Sequence, residues 1–272
     1  MDKVLKEVFY SEQTNELDFF RRASCQFGAF TARSPSKRSA NEDCAGWIRL
    51  GRDNWVFLVA DGLGGLPAGD AASQLAISSI LDHLSDKSSG SDIRGAIIQG
   101  IDLANEAILS STTGGATTLV VVEFDQDSIR PYHVGDATIL VTGQRGRLKF
   151  QSVSHSPTGY LEEAGLLNEK DAMLHESRHI VSNVVGSDAM RLEIGPRIEL
   201  AKYDTVVMAS DGLRDNLSLN QVTELVRKGP LDKCLEKLTK SCHRVMGQKD
   251  EGKPGHPDDL TIIALRRSHK RV

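Results

Sequence analysis

The sequence has no long apolar run. No stretch of its 272 residues approaches the roughly 18 consecutive apolar residues that a membrane-spanning helix needs. Residues 1–20 mix charged and apolar side chains and have no apolar core of the kind found in a secretory signal. We therefore expect a soluble, cytoplasmic protein that does not use a membrane as a partner.

Cysteine pairs with metal-binding spacing are also absent. The chain has four cysteines, and none of them forms a Cys-x-x-Cys pair. A zinc site is therefore not expected, and free, buried thiols in a reducing compartment are the favoured interpretation. Two nucleotide-binding signatures, Gly-x-Gly-x-x-Gly and Gly-x4-Gly-Lys-Ser/Thr, do not occur either.

The chain has no excess of basic charge. Its 33 Lys and Arg residues are outnumbered by 37 Asp and Glu residues, which gives a net charge of −4. Nucleic acid is not expected as a partner, because binding to phosphates requires a basic face. The basic residues near the C-terminus are interpreted as a solvated tail, with residues 268–272 beyond the folded domain.

The periodicity of apolar residues predicts strands, two helices, more strands, a polar insertion that begins at Ser154, a strand, two further helices and a last strand. No linker rich in Pro, Gly or Ser divides the chain. This order favours an α+β fold in one domain over residues 25–267, with two sheets and a pair of helices on each outer face. Residues 1–24 have weak periodicity and are predicted to form a helical or frayed N-terminal extension.

Acidic residues stand beside the ends of several predicted strands. Two apolar runs end in Asp-Gly, at Asp61-Gly62 and at Asp211-Gly212, while Glu42-Asp43 and Asp258-Asp259 each adjoin a strand. Any one of these acids alone is typical of a turn. Four such positions together indicate a shared divalent cation, since carboxylates that are brought together repel one another. An all-oxygen ligand set favours Mg²⁺ or Mn²⁺ over Zn²⁺.

A pair of such ions suits hydrolysis of a phosphoester, and the phosphate then needs a cation. Arg38 lies four residues before Glu42 in a polar loop, and a guanidinium can bind two phosphate oxygens. Arg33 and Lys37 are the alternatives in the same loop. His155 and His256 lie in loops that can reach the site, where they are either catalytic or ordinary polar residues.

Several sequence blocks, taken together, resemble the type 2C, metal-dependent (PPM-type) protein serine/threonine phosphatases. The blocks are, in order, Arg38-x3-Glu42-Asp43, Val59-Ala60-Asp61-Gly62-Leu63-Gly64-Gly65, Gly115-Ala116-Thr117-Thr118, Val134-Gly135-Asp136, Ala209-Ser210-Asp211-Gly212-Leu213 and Asp258-Asp259-Leu260-Thr261. The glycines after Asp61-Gly62 are similar to those of bacterial members. The resemblance runs in collinear order from about residue 26 to residue 265.

The resemblance implies an αββα sandwich of two mainly antiparallel sheets, two Mn²⁺ or Mg²⁺ ions, and attack by a metal-bridging hydroxide on phosphoserine and phosphothreonine. It implies that Asp61 bridges the ions. The other implied metal ligands are the Gly62 carbonyl, Asp211 and Asp258. Glu42 and Asp43 would hold metal-bound waters or the groups around them, and Arg38 would hold the phosphate. The flap, residues 154–185, would lie beside the active site.

The same resemblance implies a monomer that acts on a phosphoprotein and opposes a Ser/Thr kinase. Leu63 departs from the pattern, because animal members have a histidine there that is proposed as a general acid. Two alternatives to an active phosphatase are a weak or inactive interaction module on the same fold and a metal phosphoesterase that acts on small molecules.

Overall fold

The computed structural model describes residues 5–9 (backbone only), 17–22, 24–51, 53–64, 68–86, 92–112, 114–248 and 255–268. In the predicted basic tail, residues 269–272 lie outside the described part. So do residues 1–4, 10–16 and 23 of the predicted N-terminal extension. Within the described residues, no helix has the length and apolar character needed to cross a membrane.

One sheet, here called sheet A, has seven strands in the described part of the chain. In sequence order they are β1 (Leu5–Phe9), β4 (Asp43–Arg49), β5 (Asn54–Asp61), β6 (Leu119–Asp125), β7 (Ser128–Val134), β10 (Glu193–Ile194) and β11 (Ile198–Glu199). The spatial order is β1-β4-β5-β6-β7-β10, and β11 also pairs with β7. All of these pairs are antiparallel.

The second sheet, sheet B, has six strands among the residues that the structure describes. They are β2 (Asp18–Arg21), β3 (Cys25–Ala32), β8 (Thr138–Thr142), β9 (Leu148–Gln151), β12 (Thr205–Ala209) and β13 (Leu260–Arg267). The spatial order is β2-β3-β13-β12-β8-β9, again with antiparallel pairs throughout. The strands β12 and β13, which lie far apart in sequence, are therefore neighbours at the centre of this sheet.

Strand β5 is buried on both faces, which explains why it reads as a continuous apolar run. Trp55, Phe57 and Val59 belong to the core between the two sheets. Their alternate neighbours belong to the core beneath the outer helices of sheet A. The inter-sheet core includes an edge-to-face contact between Phe27 of sheet B and Phe57 of sheet A, with 4.9 Å between ring centroids.

Two helices cover the outer face of each sheet. On sheet A lie α1 (Gly69–Ser85) and α2 (Ile93–Ser110), whose apolar faces join the same core as the outward residues of β5. On sheet B lie α6 (Leu219–Val226) and α7 (Leu231–Met246). Three short helices complete the helices of the described residues: α3 (Pro157–Glu163), α4 (Glu169–Leu174) and α5 (Asp211–Arg214). The predicted α+β fold, with two antiparallel sheets between helix pairs, is confirmed.

The described part of the N-terminal segment consists of strand and not helix. β1 forms one edge of sheet A through β4, and β2 forms one edge of sheet B through β3. Edge strands of four or five residues have few alternating positions, so sequence periodicity is weak there. A domain boundary near residue 24 stays a prediction.

Candidate metal centre

Neighbouring strands of sheet A bring the first acidic residues together. Asp43 and Asp61 are directly opposite each other where β4 begins and β5 ends. The Gly62 N–H donates to the Glu42 carbonyl at 3.0 Å, and the Thr118 N–H donates to the Asp61 carbonyl at 2.8 Å. The end of β5 is therefore fixed by backbone hydrogen bonds on both sides.

Ser210 joins this edge of sheet A to the corresponding edge of sheet B. Its hydroxyl donates to Asp43 Oδ2 at 2.7 Å and accepts from the Thr261 N–H at 3.0 Å. The next residue, Asp211, donates its backbone N–H to Asp61 Oδ2 at 3.3 Å. The two Asp-Gly turns that the sequence singled out therefore face each other across the gap between the sheets.

Both turns need glycine because another backbone segment passes close by. A Cβ on Gly62 would lie 2.1 Å from the Gly69 carbonyl oxygen at the start of α1. A Cβ on Gly212 would lie 2.1 Å from the Asp259 carbonyl oxygen. A side chain at either position would force the two elements apart.

Asp259 attaches the loop of residues 33–42 to the start of β13. Its carboxylate accepts from the backbone N–H groups of Ser34 and Glu42, both at 2.7 Å, and from Lys37 Nζ at 2.8 Å. Lys37 Nζ also forms an ion pair with Glu42. Asp258, the neighbouring residue, accepts from the Asp259 N–H through Oδ1 at 2.8 Å.

Burial and mutual repulsion make these carboxyl groups hard to ionise in the absence of cations. Desolvation raises the pKa of Asp61 well above its ordinary value, and the charges of Asp43, Asp136 and Asp258 raise it further. Desolvation likewise raises the pKa of Asp211, with Asp61 as the largest charge effect. Burial and Asp259 raise the pKa of Asp43 to about 7. A bound cation would remove this penalty.

Two further carboxyl groups, Asp136 and Asp215, belong to the cluster and were missed as site residues. Burial and then Asp258 raise the pKa of Asp136 to about 6. Burial and then Asp136 raise that of Asp215 to about 7. A signal for each was present in the sequence: Asp136 ends the Val134-Gly135-Asp136 block, and Asp215 follows Asp211 by four residues, one helical turn later.

The donor set fits hard divalent cations. Its side-chain donors are carboxylate oxygens, as Mg²⁺ and Mn²⁺ prefer. Among the described residues, the one trio of His, Cys, Asp or Glu side chains whose ligand atoms lie within 4.8 Å of one another is His133, His155 and Glu193, outside this cluster. The spacing of the clustered carboxylates therefore suits ions with few direct protein ligands and several waters, which is the usual state of Mg²⁺.

The basic residues of the 33–40 loop differ in their surroundings. Lys37 is tied to Glu42 and Asp259, whereas Arg38 is exposed and has no hydrogen bond or ion pair within the described residues. The Arg38 guanidinium is thus available for a ligand. The bonds of Asp259 to the Ser34 and Glu42 N–H groups hold both ends of this loop at the start of β13, beside Asp258.

A cavity of about 290 Å³ lies between the acidic cluster and the flap. Its walls include Asp136, Asp211 and Asp215 from the cluster, and Glu162, Met173 and Arg178 from the flap. Arg178 approaches Asp215, with 3.7 Å between Nε and Oδ2, and bonds to His256 at 3.0 Å. His256 is thereby held by Arg178, while His155 is buried away from the cavity lining.

A sequence model described as Protein phosphatase 2C matches residues 33–250 of the chain. The serine/threonine protein phosphatase PstP of Mycobacterium tuberculosis is 25% identical over 238 residues, which is 83% of this chain and 44% of PstP. The chain thus spans less than half the length of that relative.

Solved structures of bacterial phosphatases have the same fold. The S. agalactiae serine/threonine phosphatase has a TM-score of 0.76 and 24% identity, covering 90% of this chain and 100% of that one. The catalytic domain of PstP in complex with 2 manganese ions has a TM-score of 0.72 and 22% identity, covering 90% and 99%.

Proposed function

The chain belongs to the protein phosphatase 2C family, and from this premise we propose that it is a metal-dependent phosphoprotein phosphatase that hydrolyses phosphoserine and phosphothreonine. The names of its relatives support the substrate class. The observation that carries the proposal is the convergence of all four predicted acidic positions on one edge of the sandwich, where buried carboxyl groups need cations.

We assign the metal ligands of the proposed centre to Asp61, the Gly62 carbonyl, Asp211 and Asp258, with two Mn²⁺ or Mg²⁺ ions. The two manganese ions in the PstP catalytic domain support this number. When bound, such ions lower the pKa of water and neutralise charge that develops on the phosphoryl group. Glu42 and Asp43 hold waters of the centre.

The protein's own residues orient the substrate. Arg38, whose guanidinium has no partner within the described residues, binds two phosphate oxygens at the open side of the cluster. Lys37 is less suited to this role because its ammonium is occupied by Glu42 and Asp259. The flap forms the opposite wall of the cavity, where it contacts the polypeptide around the phosphorylated residue.

The physiological setting follows from the same proposal. The substrate is a phosphoprotein, and the enzyme opposes a Ser/Thr kinase in the cytoplasm, as a monomer without nucleic-acid or membrane partners. The catalytic domain spans residues 25–267, with the flap over residues 154–185. An inactive interaction module has no observation in its favour, because every expected acid is present. The names of the relatives favour a phosphoprotein substrate over a small molecule.

The test is phosphate release by purified, chelator-treated protein after addition of Mn²⁺. We expect hydrolysis of a phosphothreonine peptide to exceed that of nucleotides, and we expect Asp61→Asn to abolish it. Asp102→Asn, an exposed acid on α2, is the matched control and should behave like the wild-type protein. Mn²⁺ binding without turnover would instead indicate an interaction module, and faster nucleotide hydrolysis would indicate a small-molecule enzyme.

A further inference from the structure

His155 lies at the start of the flap and is buried, with 5% of its surface exposed. Its ring nitrogen Nδ1 faces two N–H donors: the Gly135 backbone at 3.1 Å and Asn183 Nδ2 at 2.8 Å. Its own backbone N–H donates to the Gly135 carbonyl at 3.0 Å. Gly135 is therefore bonded to His155 on both its donor and its acceptor side.

These donors determine the protonation of the ring. A backbone N–H can only donate, so Nδ1 of His155 must be the acceptor and Nε2 must carry the hydrogen. The Nε2–H then donates to Glu193 Oε2 at 3.2 Å. The orientation of the Asn183 amide is fixed as well, because it donates to the Arg191 carbonyl at 2.7 Å and accepts from the Arg191 N–H at 2.9 Å.

The same tautomers argue against a metal ion bound by the Nε2 atoms of His133 and His155 together with Glu193. His133 Nε2 is 2.9 Å from the Val153 carbonyl, which can only accept, so this nitrogen also carries a hydrogen. The two rings stack with 4.5 Å between centroids. Both Nε2 atoms of the trio are thus protonated, and neither offers a lone pair to a cation.

His155 connects three parts of the chain. Ser182, near the end of the flap, donates its N–H to the His155 carbonyl at 2.8 Å, and Asn183 bonds to the ring. Both ends of the flap and the Gly135 turn therefore meet at one side chain. This arrangement ties the position of the turn to that of the flap.

The Gly135 turn carries Asp136 into the acidic cluster. Gly135 has a φ of +101°, and a Cβ there would lie 2.6 Å from Cβ of Thr118, so the turn is constrained on its other side as well. The charge of Asp136 contributes to the raised pKa values of Asp61, Asp211 and Asp215. A small rotation of this turn would move the Asp136 carboxylate relative to three other carboxylates.

We propose that His155 is a positioning residue that couples the flap to the metal centre, by holding the Gly135 turn so that Asp136 points into the acidic cluster. The proposal rests on the proposed function, in which this cluster binds the metal ions. His155 itself touches no reacting atom. Instead, it links the position of the flap, which faces the substrate, to the position of the Asp136 carboxylate in the cluster.

Two substitutions separate the roles of the ring nitrogens. In His155→Asn the amide oxygen can occupy the place of Nδ1 and accept from Gly135. In His155→Gln the amide lies one methylene farther out, near the place of Nε2, so the bond to Gly135 is lost while a contact with Glu193 remains. Glu193→Gln, which keeps an acceptor for the Nε2–H, is the control.

We expect His155→Gln to weaken Mn²⁺ binding about tenfold and to lower kcat by about ten- to a hundredfold, the usual effect of losing a residue that supports a metal site without binding the metal. His155→Asn should retain most of the Mn²⁺ affinity and most of kcat. A readout without metal or turnover is the exchange of the Gly135 amide hydrogen: it should be protected in the wild-type and Asn proteins and exchange faster in the Gln protein.

Equal effects of the Asn and Gln variants would overturn the proposal, since they would mean that the ring only fills space. So would unchanged Gly135 exchange or Mn²⁺ affinity in a folded His155→Gln protein. If that variant folds poorly, Asn183→Asp tests the same bond, because an acceptor against Nδ1 recruits a proton there and must likewise speed Gly135 exchange. Absence of phosphatase activity in the wild-type protein, with the exchange pattern intact, would refute the proposed function and not this coupling.

Discussion

The two strand–Asp–Gly elements of the molecule share a sequence pattern but differ in their surroundings. Asp61 ends a strand inside sheet A and lies opposite Asp43, with backbone bonds to residues on both sides. Asp211 follows β12 and begins a helix of four residues, α5. The first carboxylate is therefore part of sheet A, while the second is on a short helix that follows a central strand of sheet B.

The difference extends to the groups around each aspartate. Near Asp61, the neighbours come from β4 and from Thr117 and Thr118, all in well-bonded backbone. On the Asp211 side, Asp215 lies one helical turn later and faces Arg178 of the flap, with 3.7 Å between Arg178 Nε and Asp215 Oδ2. We infer that the Asp61 side supplies a fixed platform for the ions and that the Asp211 side is the one that responds to the flap and substrate.

The largest expected effect compares the two aspartates directly. Asp61→Asn should lower kcat on a phosphothreonine peptide about 10⁴-fold, or ~5 kcal/mol, because Asp61 is proposed to serve both ions. The loss of kcat in Asp211→Asn should be about tenfold smaller than that in Asp61→Asn. Because each change removes a charge from a repelling cluster, both metal-free variants should melt at a higher temperature than the wild-type protein. Equal losses of kcat would remove the distinction between the two sides.

The two glycines test whether both sides depend on close backbone approach. Gly62→Ala and Gly212→Ala each place a Cβ 2.1 Å from a carbonyl oxygen and should lower the free energy of unfolding by about 1–3 kcal/mol, measured by urea denaturation. Gly51→Ala, where a Cβ meets nothing within 4 Å, is the control and should be nearly neutral. A neutral Gly62→Ala would show that the Asp61 platform is less rigid than we infer.

Arg38 probes the substrate side of the centre. Loss of the guanidinium in Arg38→Ala should raise KM for a phosphopeptide about tenfold and change kcat less, as expected for loss of a charge-assisted hydrogen bond. The KM of Arg38→Lys should lie between those of the wild-type protein and Arg38→Ala, because an ammonium cannot bind two oxygens in the same way. A larger effect from Lys37→Ala on KM would identify Lys37 as the phosphate ligand instead.

A further expected effect is a pH dependence of the stability of the metal-free protein. Asp43, Asp136 and Asp215 have pKa values raised from 3.8 to about 7, 6 and 7. The folded state then binds more protons than the unfolded state between those limits, so the free energy of unfolding should fall as pH rises from 4 to about 7. Thermal melts of Asp43→Asn and Asp215→Asn should show a flatter dependence. Added Mn²⁺ should restore stability at pH 7.5.

The elements that could be predicted from sequence are those whose structure is determined by residues close together in the chain. Asp61 and Asp211 each follow an apolar run and precede a glycine, so strand, turn and acid are all visible in one short segment. The paired helices were predictable for the same reason, since each has a sustained apolar face. The structure confirms the fold that these segments specify.

What sequence reasoning missed depends on contacts between distant segments. Asp136 reads as an ordinary turn acid until the end of β7 and the start of β13, where Asp258 lies, are known to converge. Asp215 is one turn after Asp211, but the helix between them is too short to show a period. Sequence named Arg38 as the phosphate-binding residue, with Arg33 and Lys37 as alternatives. The bonds of Lys37 to Asp259 and Glu42 make Lys37 the less suitable of the two residues that the structure distinguishes in this way.

The most direct test of the central claim is electron paramagnetic resonance of the protein loaded with Mn²⁺. If the two strand–Asp–Gly elements build one centre around two neighbouring ions, two equivalents of Mn²⁺ should give the signal of a spin-coupled pair, and Asp61→Asn should abolish the coupling. A spectrum of isolated Mn²⁺ ions in the wild-type protein at saturation would contradict the account.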